Sequence, residues 1–152
     1  MSIRIDYTNV APAGMKALSG VYGYVQQSGL EETLVNLVFL RVSQINGCAY
    51  CIDMHSRDLL NSGLSVDKLV LVPAWREASA LFSVREQAAL AWAETVTRVA
   101  QTAIPDDEFR AVSAAFGEKE IVDLTIAIGL MNTYNRIAIG FRRPPEGALS
   151  AA

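Results

Sequence analysis

The sequence is poor in the residues that most often mark chemistry: it has one histidine and two cysteines among 152 residues. Two cysteines separated by two residues close too small a loop to staple a secreted fold, which excludes a disulfide-framework protein. A cationic excess is also missing, because 13 Lys plus Arg stand against 16 Asp plus Glu for a net charge of −3. No broad positive field exists to hold a nucleic-acid backbone. Glycine (10) and proline (5) are too few, and apolar residues at 51% too many, for a disordered chain. No long apolar stretch is uninterrupted either. The most apolar one, residues 121–141, contains Asp123, Asn132, Asn135 and Arg136, each costly in hydrocarbon, so it reads as a buried helix and no membrane partner is expected. The opening MSIRIDYTNVAPAG lacks the apolar run followed by small residues of a secretory signal, and the expected location is the cytoplasm.

What is present is helical periodicity. The length suits one domain over residues 1–152, with a core at about 12–141 and a tail at 142–152. After Pro12, Met15, Leu18, Val21, Tyr22 and Val25 are spaced by three and four, and Ser28-Gly29 ends that helix. From Glu31 a second helix, apolar on several sides, runs to Asn46-Gly47, and a third begins near Cys48 and stops at Asn61-Ser62-Gly63. Ser65 caps a short helix through Leu71, with further turns over Ala74 to Ala80. Ser83 and Glu86 form a capping box opening a long helix to about Ala100. Pro105 suits the first turn of the next helix, which Gly117 ends, and the last helix spans about Glu118 to Ile139. Arg142-Arg143-Pro144-Pro145 breaks it and leaves a tail with little to bury. No strand pattern competes, and the expected fold is all-α, a bundle of about six to eight helices. A mean hydropathy of +0.24 is high for a small monomer and points to a homo-oligomer. Trp75 and Trp92 read as core or subunit contacts.

Residues 46–55, Asn-Gly-Cys-Ala-Tyr-Cys-Ile-Asp-Met-His, hold both cysteines and the sole histidine. At about 100° per residue, Cys51 lies about 60° from Cys48, and His55 sits on the same helical face. Cysteines three apart on a first turn can form a disulfide, and the unpaired amides there favour thiolate over thiol. His55 can exchange protons near neutral pH. Its other ring nitrogen needs an acceptor, for which Glu94, Glu31 and Glu32 are candidates; Glu94 is preferred because its surroundings are mostly apolar. Two such thiols suit peroxide reduction, in which one is oxidised to a sulfenic acid and the other condenses with it. Nearness to His55 favours Cys51 as the attacking thiol and Cys48 as the resolving one. Zinc is a rival use, with Cys48, Cys51, His55 and either Asp53 or Glu94 as ligands, but the second ligand pair of a structural site is missing.

The run from Leu40 to His55, together with Ala89-Leu90-Ala91-Trp92-Ala93-Glu94 and Met131-Asn132-Thr133-Tyr134-Asn135-Arg136, resembles the AhpD-like alkylhydroperoxidases of the carboxymuconolactone decarboxylase superfamily. The resemblance implies an all-helical subunit assembling into trimers or hexamers, with Cys48, Cys51 and His55 acting in thiol-dependent peroxide reduction. It also implies a lipoyl-type or other small dithiol as reductant. No flavin, haem or nicotinamide motif is present, so no bound cofactor is expected. Two positions depart from the family pattern. The relay glutamate twelve residues before the first cysteine is Asn36 here, and the histidine directly before the second cysteine is Tyr50. Glu94 is the expected substitute for the missing acid. Two other functions compete: a metal-binding or redox-sensing helical oligomer, and a cysteine-independent lyase or isomerase of the decarboxylase branch. Turnover that survives removal of both thiols would mark the last.

Overall fold

A computed structural model describes residues 2–149. Its helices are α1 (Tyr7–Val10), α2 (Pro12–Gln26), α3 (Glu32–Asn46), α4 (Ala49–Asn61), α5 (Val66–Val70), α6 (Val84–Thr97), α7 (Val99–Thr102), α8 (Asp106–Ser113), α9 (Glu118–Gly140) and α10 (Glu146–Leu149). Short 3₁₀ turns cover Val72–Ala74 and Ser79–Leu81, and no strand occurs among the described residues. The all-α expectation holds, with six of these helices being seven residues or longer. No helix is long and apolar enough to cross a membrane among the described residues.

α3 is the axis of the packing. Leu34, Val35, Leu37, Val38, Phe39, Leu40 and Val42 cover most of its circumference and are all buried, so neighbours must surround it. α4, α6 and α9 do so. One apolar cluster joins Val38, Phe39 and Val42 to Trp92, Leu124, Ile128 and Met131 from α6 and α9. A second joins Leu37 and Leu40 to Leu59, Val72, Trp75, Phe82 and Leu90. Each fully buried Leu or Phe contributes roughly 1.5–3 kcal/mol through the area it removes from water. Both tryptophans are buried, and Trp92 Nε1 donates to Thr125 Oγ1 at 2.9 Å.

α6 begins with the expected capping box: Ser83 Oγ accepts from the Glu86 N–H, and Glu86 accepts from the Ser83 N–H at 2.7 Å. The long helix predicted to reach about Ala100 is instead interrupted. Arg98 leaves helical conformation, α7 forms a separate turn, and Thr102 Oγ1 donates to the Thr95 carbonyl at 2.8 Å. That hydroxyl satisfies a carbonyl orphaned at the helix end, which lets α6 stop early.

The chain ends depart further from the sequence reading. Asp6 caps an unanticipated α1, accepting from the Asn9 and Thr8 side chains at 2.7 and 2.5 Å. The tail described as having little to bury folds back onto α4 over its described part, where the Glu146 N–H donates to Asp53 Oδ2 at 3.0 Å. Residues 150–152 of that tail lie outside the described residues.

Candidate active site

The cysteine pair is placed by a turn that the sequence encodes. Gly47 adopts φ +71°, its N–H bonds the Gln44 carbonyl at 3.3 Å, and the Cys48 N–H bonds the Ser43 carbonyl at 3.0 Å. This is a Schellman closure, and glycine occupies the left-handed position without the clash a Cβ brings. Asn46 braces the turn, donating from Nδ2 to Asn132 Oδ1 at 3.0 Å and Asn135 Oδ1 at 2.9 Å on α9. Asn135 in turn donates to Ser43 Oγ at 3.0 Å. The chain leaves the turn with Cys48 at the N-cap of α4, where its Sγ accepts from the Cys51 N–H at 3.4 Å. A thiolate there is stabilised by that amide and by the helix dipole.

Cys48 and Cys51 stand at disulfide distance, with Cα atoms 5.4 Å apart, and are 1% and 2% exposed. Cys51 and His55, four residues along α4, line one cavity of about 330 Å³ that also has Tyr22, Tyr50, Tyr134 and Met131 on its wall. Cys48 does not line it. His55 is 1% exposed and rests against Phe39, ring centroids 5.1 Å apart. Burial pushes its imidazole down to about 4, so the ring is neutral at pH 7. Neither ring nitrogen makes a hydrogen bond. Nδ1 lies 3.5 Å from Asp58 Oδ2, an approach too long for a good hydrogen bond.

The structure does not bring Glu94 to His55. Arg41 Nε and Trp75 Nε1 donate to Glu94 Oε1 at 2.8 and 3.0 Å, and Arg76 donates to Oε2. Burial raises this carboxyl, but the donors from Arg76, Trp75 and Arg41 outweigh it and hold Glu94 below its ordinary value. The expectation that Glu94 orients the imidazole is therefore corrected: two guanidiniums and an indole attract a buried carboxylate more strongly than a neutral ring can. Glu94 is an ionic tie between α3, α6 and the segment before α6.

Asp58, which the sequence reading passed over, is the carboxylate near His55. It sits three residues further along α4, a spacing at which helical side chains meet, and that signal was available. Burial, with Glu32 and Glu146 nearby, raises its carboxyl above the ordinary value. Asp58 also lines a second pocket, with Glu32, Asn36 and Tyr22, and is half-exposed where His55 is buried. The proposed zinc ligands do not converge: Asp53 accepts from Arg57 Nε at 3.0 Å, and no cluster of three His, Cys, Asp or Glu side chains suited to a metal occurs among the described residues.

Residues 12–95 match the carboxymuconolactone decarboxylase family. The uncharacterized protein YdfG of Bacillus subtilis (strain 168) is 37% identical over 139 residues, 91% of this chain and 94% of that protein. A crystal structure of a protein of unknown function from Agrobacterium tumefaciens, named provisionally as an antioxidant defence protein AhpD, is 44% identical and superposes with a TM-score of 0.91, covering 95% of this chain and 98% of that one. The debrominase Bmp8 superposes with a TM-score of 0.79 at 17% identity, over 95% of this chain and 77% of its own, and shares the fold.

Proposed function

Because the chain belongs to the carboxymuconolactone decarboxylase family, we propose that it is an AhpD-like thiol peroxidase, reducing hydrogen peroxide or an organic hydroperoxide through Cys48 and Cys51. The observation that carries this reading is the placement of the sulfurs: they are paired on the first turn of α4, and Cys51 shares a cavity wall with His55.

Neutral His55 acts as general base, taking the Cys51 thiol proton as the sulfur attacks, so the imidazolium that burial disfavours forms only in the course of the step. The sulfur attacks the terminal oxygen of ROOH; an S–O bond forms, the O–O bond breaks, and the departing RO⁻ takes the proton from His55 to leave as ROH. Cys51 is then a sulfenic acid. The Cys48 thiolate, favoured by its N-cap position, attacks that sulfur, and hydroxide leaves and is protonated to water. An external dithiol reduces the resulting disulfide by exchange, becoming a disulfide itself and restoring both thiols. Asp58 takes the orienting role first expected of Glu94, accepting from His55 Nδ1–H so that Nε2 serves the reacting atoms. Catalytic hydrogen bonds of this kind are often long in the resting enzyme and tighten with substrate. The high mean hydropathy supports a homo-oligomer, the trimer or hexamer that the resemblance implies.

The test is a thiol count. Fully reduced protein is mixed with one equivalent of cumene hydroperoxide, and free thiols are titrated in the wild type, Cys48→Ser, Cys51→Ser and His55→Ala. The wild type should lose both thiols, Cys48→Ser should accumulate a trappable sulfenic acid, Cys51→Ser should stay reduced, and His55→Ala should react slowly. Survival of both thiols in the wild type overturns the reading.

A further inference from the structure

The C-terminal end of α9 delivers a cation to the cavity. Arg142 takes φ +57°, its N–H bonds the Ile139 carbonyl at 3.2 Å, and the Arg143 N–H reaches back to the Ala138 carbonyl at 2.9 Å. This is a second Schellman closure, and it turns the chain back on itself just before Pro144. The Arg4 N–H ties the N-terminal segment to the same corner through the Phe141 carbonyl at 3.0 Å. Arg143 consequently lies against two rings: its guanidinium carbon is 4.4 Å from the Tyr50 centroid and 6.0 Å from that of Tyr7, and Nη1 donates to the Tyr7 hydroxyl at 3.4 Å.

Three observations converge on this side chain. It is the only cation among the described residues lining the cavity that holds Cys51, and Asp58, beside His55, is the only anion. No carboxylate pairs with it among the ion pairs of the described residues. Its platform is Tyr50, the residue directly before Cys51 and one of the two positions that depart from the family pattern. The cavity wall that Arg143 shares with Cys51 is largely aromatic and thioether surface, including Tyr22, Tyr134, Met54 and Met131. An apolar cavity with a guanidinium stacked on its rim suits an amphipathic anion, because a planar fork of N–H donors matches a carboxylate.

We propose that Arg143, held on Tyr50, is the anchor for a carboxylate, so that the hydroperoxides reduced here are amphipathic organic acids such as a fatty-acid hydroperoxide. The inference rests on the peroxidase reading for its chemistry. The carboxylate is a spectator: the apolar body lies along Tyr22, Tyr134 and Met131, the O–O bond breaks at Cys51, and the hydroxy acid leaves. Arg143 sets which hydroperoxide is held, whereas Cys51 and His55 set what happens to it.

The experiment compares linoleic acid hydroperoxide with its methyl ester, on wild-type enzyme, Arg143→Gln and Arg143→Lys, with a dithiol as reductant. The acid should have a KM about tenfold below that of the ester in the wild type, as expected for one charge-assisted contact. That advantage should vanish in Arg143→Gln and return in part in Arg143→Lys. Because the readout is the ratio of acid to ester, a general loss of packing in a variant cancels. Calorimetric binding of the product hydroxy acid and its methyl ester to the same three proteins reads the anchor without any turnover. Acid preference in binding that disappears in Arg143→Gln supports the site even if no peroxide is consumed, in which case it is the peroxidase reading that fails. Equal binding and equal KM for acid and ester in the wild type, or an acid preference that persists in Arg143→Gln, overturns the inference.

Discussion

Asp58 Oδ2 lies 3.5 Å from His55 Nδ1, one turn further along the helix that also carries Cys51. A cysteine, a histidine and a carboxylate thus stand at positions i, i+4 and i+7 of a single element, a spacing that α4 alone sets. Asn36, at the family's glutamate position, lines the neighbouring pocket with Glu32 and Asp58. In the proposed mechanism, Asp58 on α4 takes the place of the acid missing from α3.

If Asp58 orients the imidazole, Asp58→Asn slows Cys51 oxidation by at least about tenfold at neutral pH, since an amide leaves Nδ1–H without an anionic acceptor. Asp58→Glu should restore part of the rate. The measurement is single-turnover stopped-flow of reduced protein against hydroperoxide, followed by thiolate absorbance. Equal rates in wild type and Asp58→Asn would remove Asp58 from the mechanism.

The histidine also predicts a pH dependence of stability. Its imidazole titrates near 6.5 in the unfolded chain and at about 4 in the fold, because burial disfavours the charged form. Between these values the unfolded chain binds more protons, so stability is fully present above pH 6.5 and is lost as pH falls toward 4. The loss due to this group approaches about 3 kcal/mol. Urea unfolding of wild type and His55→Gln across this window should show the variant losing less; parallel curves would contradict the burial argument.

Glu94 has a different fate on removal. Glu94→Ala leaves Arg41 without a partner at a site where its side chain is only 12% exposed, and it strips Trp75 Nε1 of its acceptor. The expected cost is about 3 kcal/mol of unfolding free energy, read from denaturant midpoints. The rate of thiol oxidation by the folded fraction should stay close to wild type. A large kinetic defect with normal stability would return Glu94 to the active site.

The bundle was legible where local chemistry decides structure. Asn46-Gly47 announces a left-handed turn, Ser83 and Glu86 announce a helix start, and apolar residues on several sides of the run 34–42 announce a buried helix. The candidate site was legible in part: Cys51 and His55, four apart on one helical run, line one cavity, whereas Cys48 caps that helix and does not line it. Glu94 was misread because its partners come from three separate places in the chain: Arg41 on α3, and Trp75 and Arg76 ahead of α6. No spacing rule links them. Arg142 hid the second reversal, since a left-handed arginine carries no glycine to advertise it. The return of the C-terminal segment toward α4 therefore escaped the reading as well.

The spacing of the two sulfurs, only three positions apart, has a consequence for endurance. A cross-link within a single turn encloses little chain, so it removes less disorder from the unfolded molecule than one that closes a long loop. In the proposed cycle, alternation between dithiol and disulfide therefore shifts the thermal tolerance of the scaffold less than a long-range cross-link would.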